Sequence, residues 1–390
     1  MSNRRTIPGA VGLLAAASVL LTACGGGATV AQPTPLDELE APAYRMQTLW
    51  QTDAGAGAGE FVSGFVPAVA DGRVYVANRD GYVRALDLGT GETIFRSRTG
   101  DRLIAGPAVG DDTLLMGTRD GQVVALSATT GERKWTTELA SEIIAPPAIS
   151  EGLGVVRTLD GRVVALNLGD GRRRWSVEYS VPTLTMRGTS SPVIVDGTVY
   201  AGLDNGKIVA LDLDNGEQRW EQAIALPSGR SELERIVDID ADPLVVGGEL
   251  YAVSAGGRMA SLSLAGGRLR WSADVAAETG LAYDDDNIFT ADMDGIVRAF
   301  NRLTGSQSWQ QDALEYRRLS APSTYQGDVL VGDLEGYVHW LSADDGQVLA
   351  RGRPFEEAIR ARPVVAGDRV LVLGADGEIA AVRFGPVDGS

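Results

Sequence analysis

From residue 45 to residue 386 the chain is written in short apolar runs separated by polar turns centred on glycine. Arg73–Ala77 and Tyr82–Leu86 are rich in β-branched and aromatic residues, the composition of strands. Between them Asp80 and Gly81 offer the positive φ that a tight turn requires. The glycine of this turn returns at Gly121, Gly161, Gly206, Gly257, Gly295, Gly336 and Gly377, at intervals of 40, 40, 45, 51, 38, 41 and 41 residues. A repeat of that length, built from short strands, predicts an all-β chain folded as a β-propeller with one blade per repeat. Eight copies predict eight four-stranded antiparallel blades.

A second regularity predicts how the blades pack. Phe95, Trp135, Trp175, Trp220, Trp271 and Trp309 each follow a glycine by four residues. A large aromatic at such a fixed place is expected to wedge between neighbouring blades while its N–H finds a partner. The seventh repeat has Ala350 there, and the eighth stops near Phe384 without a fourth strand. Met46–Trp50 reads as an outer strand with its own wedge, Trp50. The N-terminal strand is therefore expected to complete the last blade and close the ring, which also limits exposed strand edges. Pro67, Pro107, Pro147, Pro192, Pro243, Pro322 and Pro363 are placed at strand starts, where proline is tolerated.

The first 23 residues do not follow the pattern. Arg4 and Arg5 precede an apolar run, Val11–Leu21, too short to span a bilayer, and together they predict a secretory signal. Leu21-Thr22-Ala23-Cys24 looks like a bacterial lipobox, which implies cleavage before Cys24 and its acylation, a stable anchor when several chains are attached. Gly25 after the cysteine favours the outer membrane by the same analogy. Residues 24–44, with Gly25–Gly27 and Pro33–Pro35, are expected to be a flexible tether, residues 45–386 the propeller and 387–390 a tail.

Composition narrows the function. The formal net charge is −17, from 52 acidic and 35 basic residues. Such an acidic body argues against non-specific nucleic-acid binding and against lying on anionic lipid. Cys24 is the only cysteine, so no intrachain disulfide forms. His339 is the only histidine, which excludes a multi-histidine metal site, and it is expected to be a blade residue. The recurring Asp-Gly pairs and Asp284–Asp286 read as turn chemistry rather than metal ligands.

The irregular intervals of 45 and 51 mark two long links, Tyr179–Gly188 and Ala223–Asp240. Strand alternation puts both on one face of the disc, flanking the fourth blade. Leu184, Met186, Ile236 and Val237 lie there beside Arg187, Arg235, Asp238 and Asp240. Apolar residues with charged neighbours suit a protein-docking patch. Equally, the apolar residues could tuck under the loops and the charges pair locally, and the residues alone leave both readings open.

Thr130-Gly131-Glu132-Arg133-Lys134-Trp135 and Asn215-Gly216-Glu217-Gln218-Arg219-Trp220 resemble the PQQ-type propeller motif, which enzymes and non-enzymes share. More specifically, the lipobox, Leu184–Gly188, Asp238–Asp240 and Gly332–Trp340 together resemble the BamB family, lipoprotein subunits of the bacterial outer-membrane β-barrel assembly (BAM) machinery. The likeness runs from the signal segment to the last blade. It implies a non-enzymatic scaffold with no cofactor, lipid-anchored in the outer membrane and facing the periplasm. It further implies docking on the periplasmic POTRA domains of BamA through Leu184, Met186, Arg187, Asp238 and Asp240, indirect contact with other BAM lipoproteins, and assistance to unfolded outer-membrane proteins. Met186 stands where the family pattern has leucine, a volume-conserving change. Two alternatives are a scaffold of another envelope complex and a PQQ-dependent quinoprotein dehydrogenase. The latter would need a disulfide over its cofactor, a calcium site and a catalytic Asp; a single cysteine cannot form the disulfide.

Overall fold

The computed structural model describes residues 31–39, 42–57, 64–187 and 190–387. The signal segment, Cys24, Gly188 and the last three residues lie outside the described residues. The chain divides into residues 1–32, of which Ala31 and Gln32 are described as irregular chain, and a compact body comprising residues 33–390.

That body is an eight-bladed propeller of four-stranded antiparallel sheets, except that the second blade gains Gly64–Phe65 as a short fifth strand, parallel to its inner strand Leu103–Gly110. The first blade comprises Ala68–Ala70, Arg73–Ala77, Tyr82–Asp87 and Thr93–Arg98, in spatial order from the centre outward. The eighth comprises Val364–Ala366, Arg369–Leu373, Glu378–Pro386 and, outermost, Tyr44–Asp53. Tyr44 pairs with Pro386 and Asp53 with Glu378, so the two ends of the chain close the ring in one sheet. Six prolines stand immediately before an inner strand. Pro107 instead lies inside Leu103–Gly110, where the register shifts between Ala105 and Ala108, a bulge that tolerates it.

Eight apolar clusters hold the ring, each shared by two neighbouring blades. Val155 and Val163 of the third blade, for example, pack with Val199 and Val209 of the fourth. The wedges cross these joints. Trp175 donates its indole N–H to the Leu213 carbonyl of the next blade at 2.7 Å, and Trp135 donates to Leu168 at 2.8 Å. Each indole lies flat on the turn glycine of that next blade. A Cβ at Gly216 would stand 2.7 Å from the Trp175 ring, and its φ of 73° also favours glycine. The glycine and the aromatic four residues later therefore serve opposite joints, one receiving a wedge and the other supplying it.

This explains Ala350. The outer strand of the eighth blade comes from the N-terminus, so that blade has no turn between its third and fourth strands and no glycine to receive an indole. Tyr44, Tyr325, Trp340 and Phe384 fill the seventh joint instead, with Tyr44 edge-on to Trp340 at 5.0 Å between centroids. Met46 covers Gly352.

Part of the expected flexible tether is bound. Thr34 donates its N–H to the Glu315 carbonyl at 3.0 Å, and Leu36 packs on the cluster between the sixth and seventh blades.

Candidate functional site

Because strands alternate in direction, every link from an outer strand to the next inner strand emerges on one face, together with the turns between second and third strands. The two long links are on this face on either side of the fourth blade, whose strands are Val193–Val195, Thr198–Gly202, Lys207–Asp212 and Gln218–Ala223.

The site residues divide into an exposed set and a buried set. Leu184 and Met186 are 45% and 37% exposed, large apolar side chains facing solvent. Arg187 is exposed beside them at a φ of 74°, a conformation that costs a non-glycine residue about 1 kcal/mol or more and needs support from its surroundings. Its guanidinium pairs with Glu142 of the preceding link, and Arg235 pairs with Glu232 at 3.5 Å. Val237 and Ile239 are buried, so this part of the second link tucks into the ring.

Asp238 and Asp240 are buried too. Asp238 accepts a hydrogen bond from the Met186 N–H at 2.5 Å, which ties the first link to the second across the fourth blade. The Asp238 backbone carbonyl receives Ala255 N–H at 3.0 Å, and Ser254 Oγ donates to Val237 at 2.8 Å. Asp238 is thus a foundation that fixes the backbone of the first link at Met186, its carboxylate kept from solvent, while Asp240, also buried, borders the cavity at the ring's centre.

Sequence reasoning missed the rest of that foundation. Asp204, from the turn after Thr198–Gly202, brings a third buried carboxylate; one oxygen from each of Asp204, Asp238 and Asp240 lies within 4.8 Å of the others. These are donors of the type a hard cation takes. Arg157 supplies positive charge there, paired with Asp204 and equally buried. A signal for it existed. Four residues before each turn glycine the other repeats have Ala77, Gly117, Gly202, Val253, Ala291, Gly332 and Leu373, and only the third has a charge.

Burial raises the Asp238 carboxyl to about 6; the Met186 N–H and Arg157 oppose that rise and the Asp204 charge adds to it. A carboxyl raised in the fold favours folding while it is protonated. Its contribution is fullest below about pH 4, where the unfolded chain is also protonated, and is lost as pH climbs toward 6. Asp238→Asn removes that loss. Melting temperatures from pH 4 to 7 should show the variant gaining on the native chain by about 2 kcal/mol as pH rises. A difference that stays flat across the window would mean Asp238 is not the group that titrates.

His339 is a buried blade residue. Arg351 donates to its Nδ1 at 3.2 Å, so Nε2 carries the proton toward Asp333 at 2.9 Å, and burial lowers its pKa and keeps it neutral. Asp284 closes its own turn by accepting from Asp286 and Asn287 N–H groups. At the ring's centre a cavity of about 830 Å³ is lined by Phe65, several strand-leading prolines and charges of both signs, including Glu278 and Arg362.

Residues 79–311 and 293–389 match the family model described as outer membrane protein assembly factor BamB. The protein of that name from Alkalilimnicola ehrlichii is 47% identical over 98% of this chain and 97% of its own length. The crystal structure of BamB from Moraxella catarrhalis superposes with a TM-score of 0.77 at 31% identity, covering 86% of this chain and all of that one. A quinohemoprotein alcohol dehydrogenase from Comamonas testosteroni superposes with a TM-score of 0.69 over 87% of this chain and 76% of its own, but at 14% identity, a likeness of fold alone.

Proposed function

We propose that the chain, which belongs to the BamB family of outer membrane protein assembly factors, works as a non-enzymatic scaffold of the barrel-assembly complex. Its link-bearing face docks on the periplasmic POTRA region of a BamA-like partner, and the docked propeller assists folding and insertion of outer-membrane proteins. Acylated Cys24 holds it to the outer membrane on the periplasmic side. Among the described residues no helix is long and apolar enough to cross a membrane.

One observation carries the reading. Leu184 and Met186 are exposed apolar anchors, and a buried charged foundation fixes the backbone beneath them. Presenting apolar side chains on a pre-ordered loop lowers the entropy lost on binding, which is what a docking surface gains from such support. In this division of labour Leu184, Met186 and Arg187 meet the partner, and Asp238, with Asp240 in the buried cluster beside it, holds them in place.

Co-purification from gently solubilised outer membranes tests it. Leu184→Asp combined with Arg187→Ala should abolish recovery of the barrel partner while the propeller keeps its native circular dichroism. Leu303→Asp, at a still more exposed leucine on the opposite face, should leave recovery unchanged. Equal recovery with both variants would remove the docking assignment.

A further inference from the structure

We infer that the surface between the sixth and seventh blades is a binding groove for an extended peptide, and that the chain's own segment Pro33–Asp37 is its resident ligand. Three main-chain contacts define it. Thr34 N–H goes to the Glu315 carbonyl at 3.0 Å, the Thr34 carbonyl accepts from Arg317 Nη1 at 2.9 Å, and the Asp37 carbonyl accepts from Arg351 Nη1 at 2.9 Å. Between the two carbonyls, Leu36 covers the apolar cluster that includes Leu314, Leu319 and Trp309.

The groove is built into the ring. Arg317 is 2% exposed and is aimed by Asp333 at 2.7 Å and by Glu335, while Arg351 is steadied by the neutral His339. Asp333 also holds the turn below it, accepting from the N–H groups of Glu335 and Tyr337. Tyr316 and Arg318, on either side of Arg317, take φ of 61° and 49°, so the link is bent sharply to turn that one arginine inward. A buried cation with two carboxylate partners and a peptide carbonyl as its third is an arrangement for reading backbone.

The recognition chemistry fixes the ligand class: an extended chain with an aliphatic residue between two carbonyls three residues apart. Side-chain identity enters at Leu36 and, through its charge beside Arg351, at Asp37. The groove opens on the same face as Leu184 and Met186, three blades around the ring, so the segment leading to the N-terminus is fastened to the docking face. This assignment does not rest on the proposed function, since its contacts are all within the chain.

A nitroxide at position 38 tests it, in a full chain carrying Cys24→Ser and Glu38→Cys so that one thiol is labelled. The label should move about tenfold more slowly than in the urea-unfolded chain. Leu36→Asp with Arg351→Gln, both at partly exposed positions, should free it while the circular dichroism of the propeller is retained. An excess of a synthetic peptide spanning Ala31–Leu39 should also mobilise it, and the same peptide carrying Leu36→Asp should not. Fast motion in the parent chain, no release by the double variant, or equal effects of the two peptides would each overturn the assignment.

Discussion

Trp175→Ala should lower the stability of the ring by about 3–5 kcal/mol, the range for deleting a large buried aromatic. The indole is 8% exposed, lies on Gly216 and donates to the Leu213 carbonyl. Its removal empties the joint between the third and fourth blades and leaves that carbonyl without its donor. The loss is felt beyond stability, because the first long link spans this same joint and carries Leu184 and Met186. Guanidinium unfolding followed by tryptophan fluorescence and circular dichroism reads it as a lower midpoint. Trp175→Phe keeps most of the apolar area and loses the N–H, so it should fall between the native chain and the alanine variant. A cost below about 1 kcal/mol for alanine would mean that the sheets, not the wedges, hold the joint.

Arg157→Ala should cost a similar amount, about 3–5 kcal/mol, for a different reason. It leaves Asp204, Asp238 and Asp240 buried together without the cation paired to Asp204. The carboxylates then repel, and the cheapest relief is to bind protons or to let water reach them by loosening the links. The deficit should therefore be larger at pH 7.5 than at pH 5, where protonation removes part of the repulsion. Adding Asp204→Asn should restore much of the loss, since it deletes one of the stranded charges. Thermal melts of the single and double variants at both pH values measure this. A deficit identical at the two pH values and untouched by Asp204→Asn would assign the effect to lost packing.

Both predictions use contacts that differ in how far the sequence announces them. The blade order, the wedges and the closing strand are legible because they rest on period and on residue size. A glycine and an aromatic four residues apart recur at every blade but those that close the ring. Even Ala350 is legible as an exception, although its cause is not: only the structure shows that each wedge rests on the turn glycine of the next blade, which the eighth blade, closed by the N-terminal strand, does not have.

The site is legible as position but not as direction. Two long intervals flag the links, yet nothing in Asp238-Ile239-Asp240 says that the carboxylates point inward, toward Arg157 and Asp204, which lie 34 to 83 residues upstream. Ion pairs between distant turns leave no periodic trace. The alternative in which residues tuck under the loops describes Val237 and Asp238, while exposure describes Leu184 and Met186. Residues 33–37 were similarly opaque. Proline and polar residues read as linker, and the partners that fasten them, Glu315, Arg317 and Arg351, lie 281 to 314 residues away.

The most direct measurement of the central claim is site-specific photo-crosslinking in intact cells. A photoreactive amino acid would replace Leu184, Met186 or, as the opposite-face control, Leu303. The account predicts an adduct with the periplasmic region of a BamA-like barrel protein from positions 184 and 186, and none from 303. Adducts from 303 alone, or none from 184 and 186 in a chain that folds and reaches the outer membrane, would contradict it.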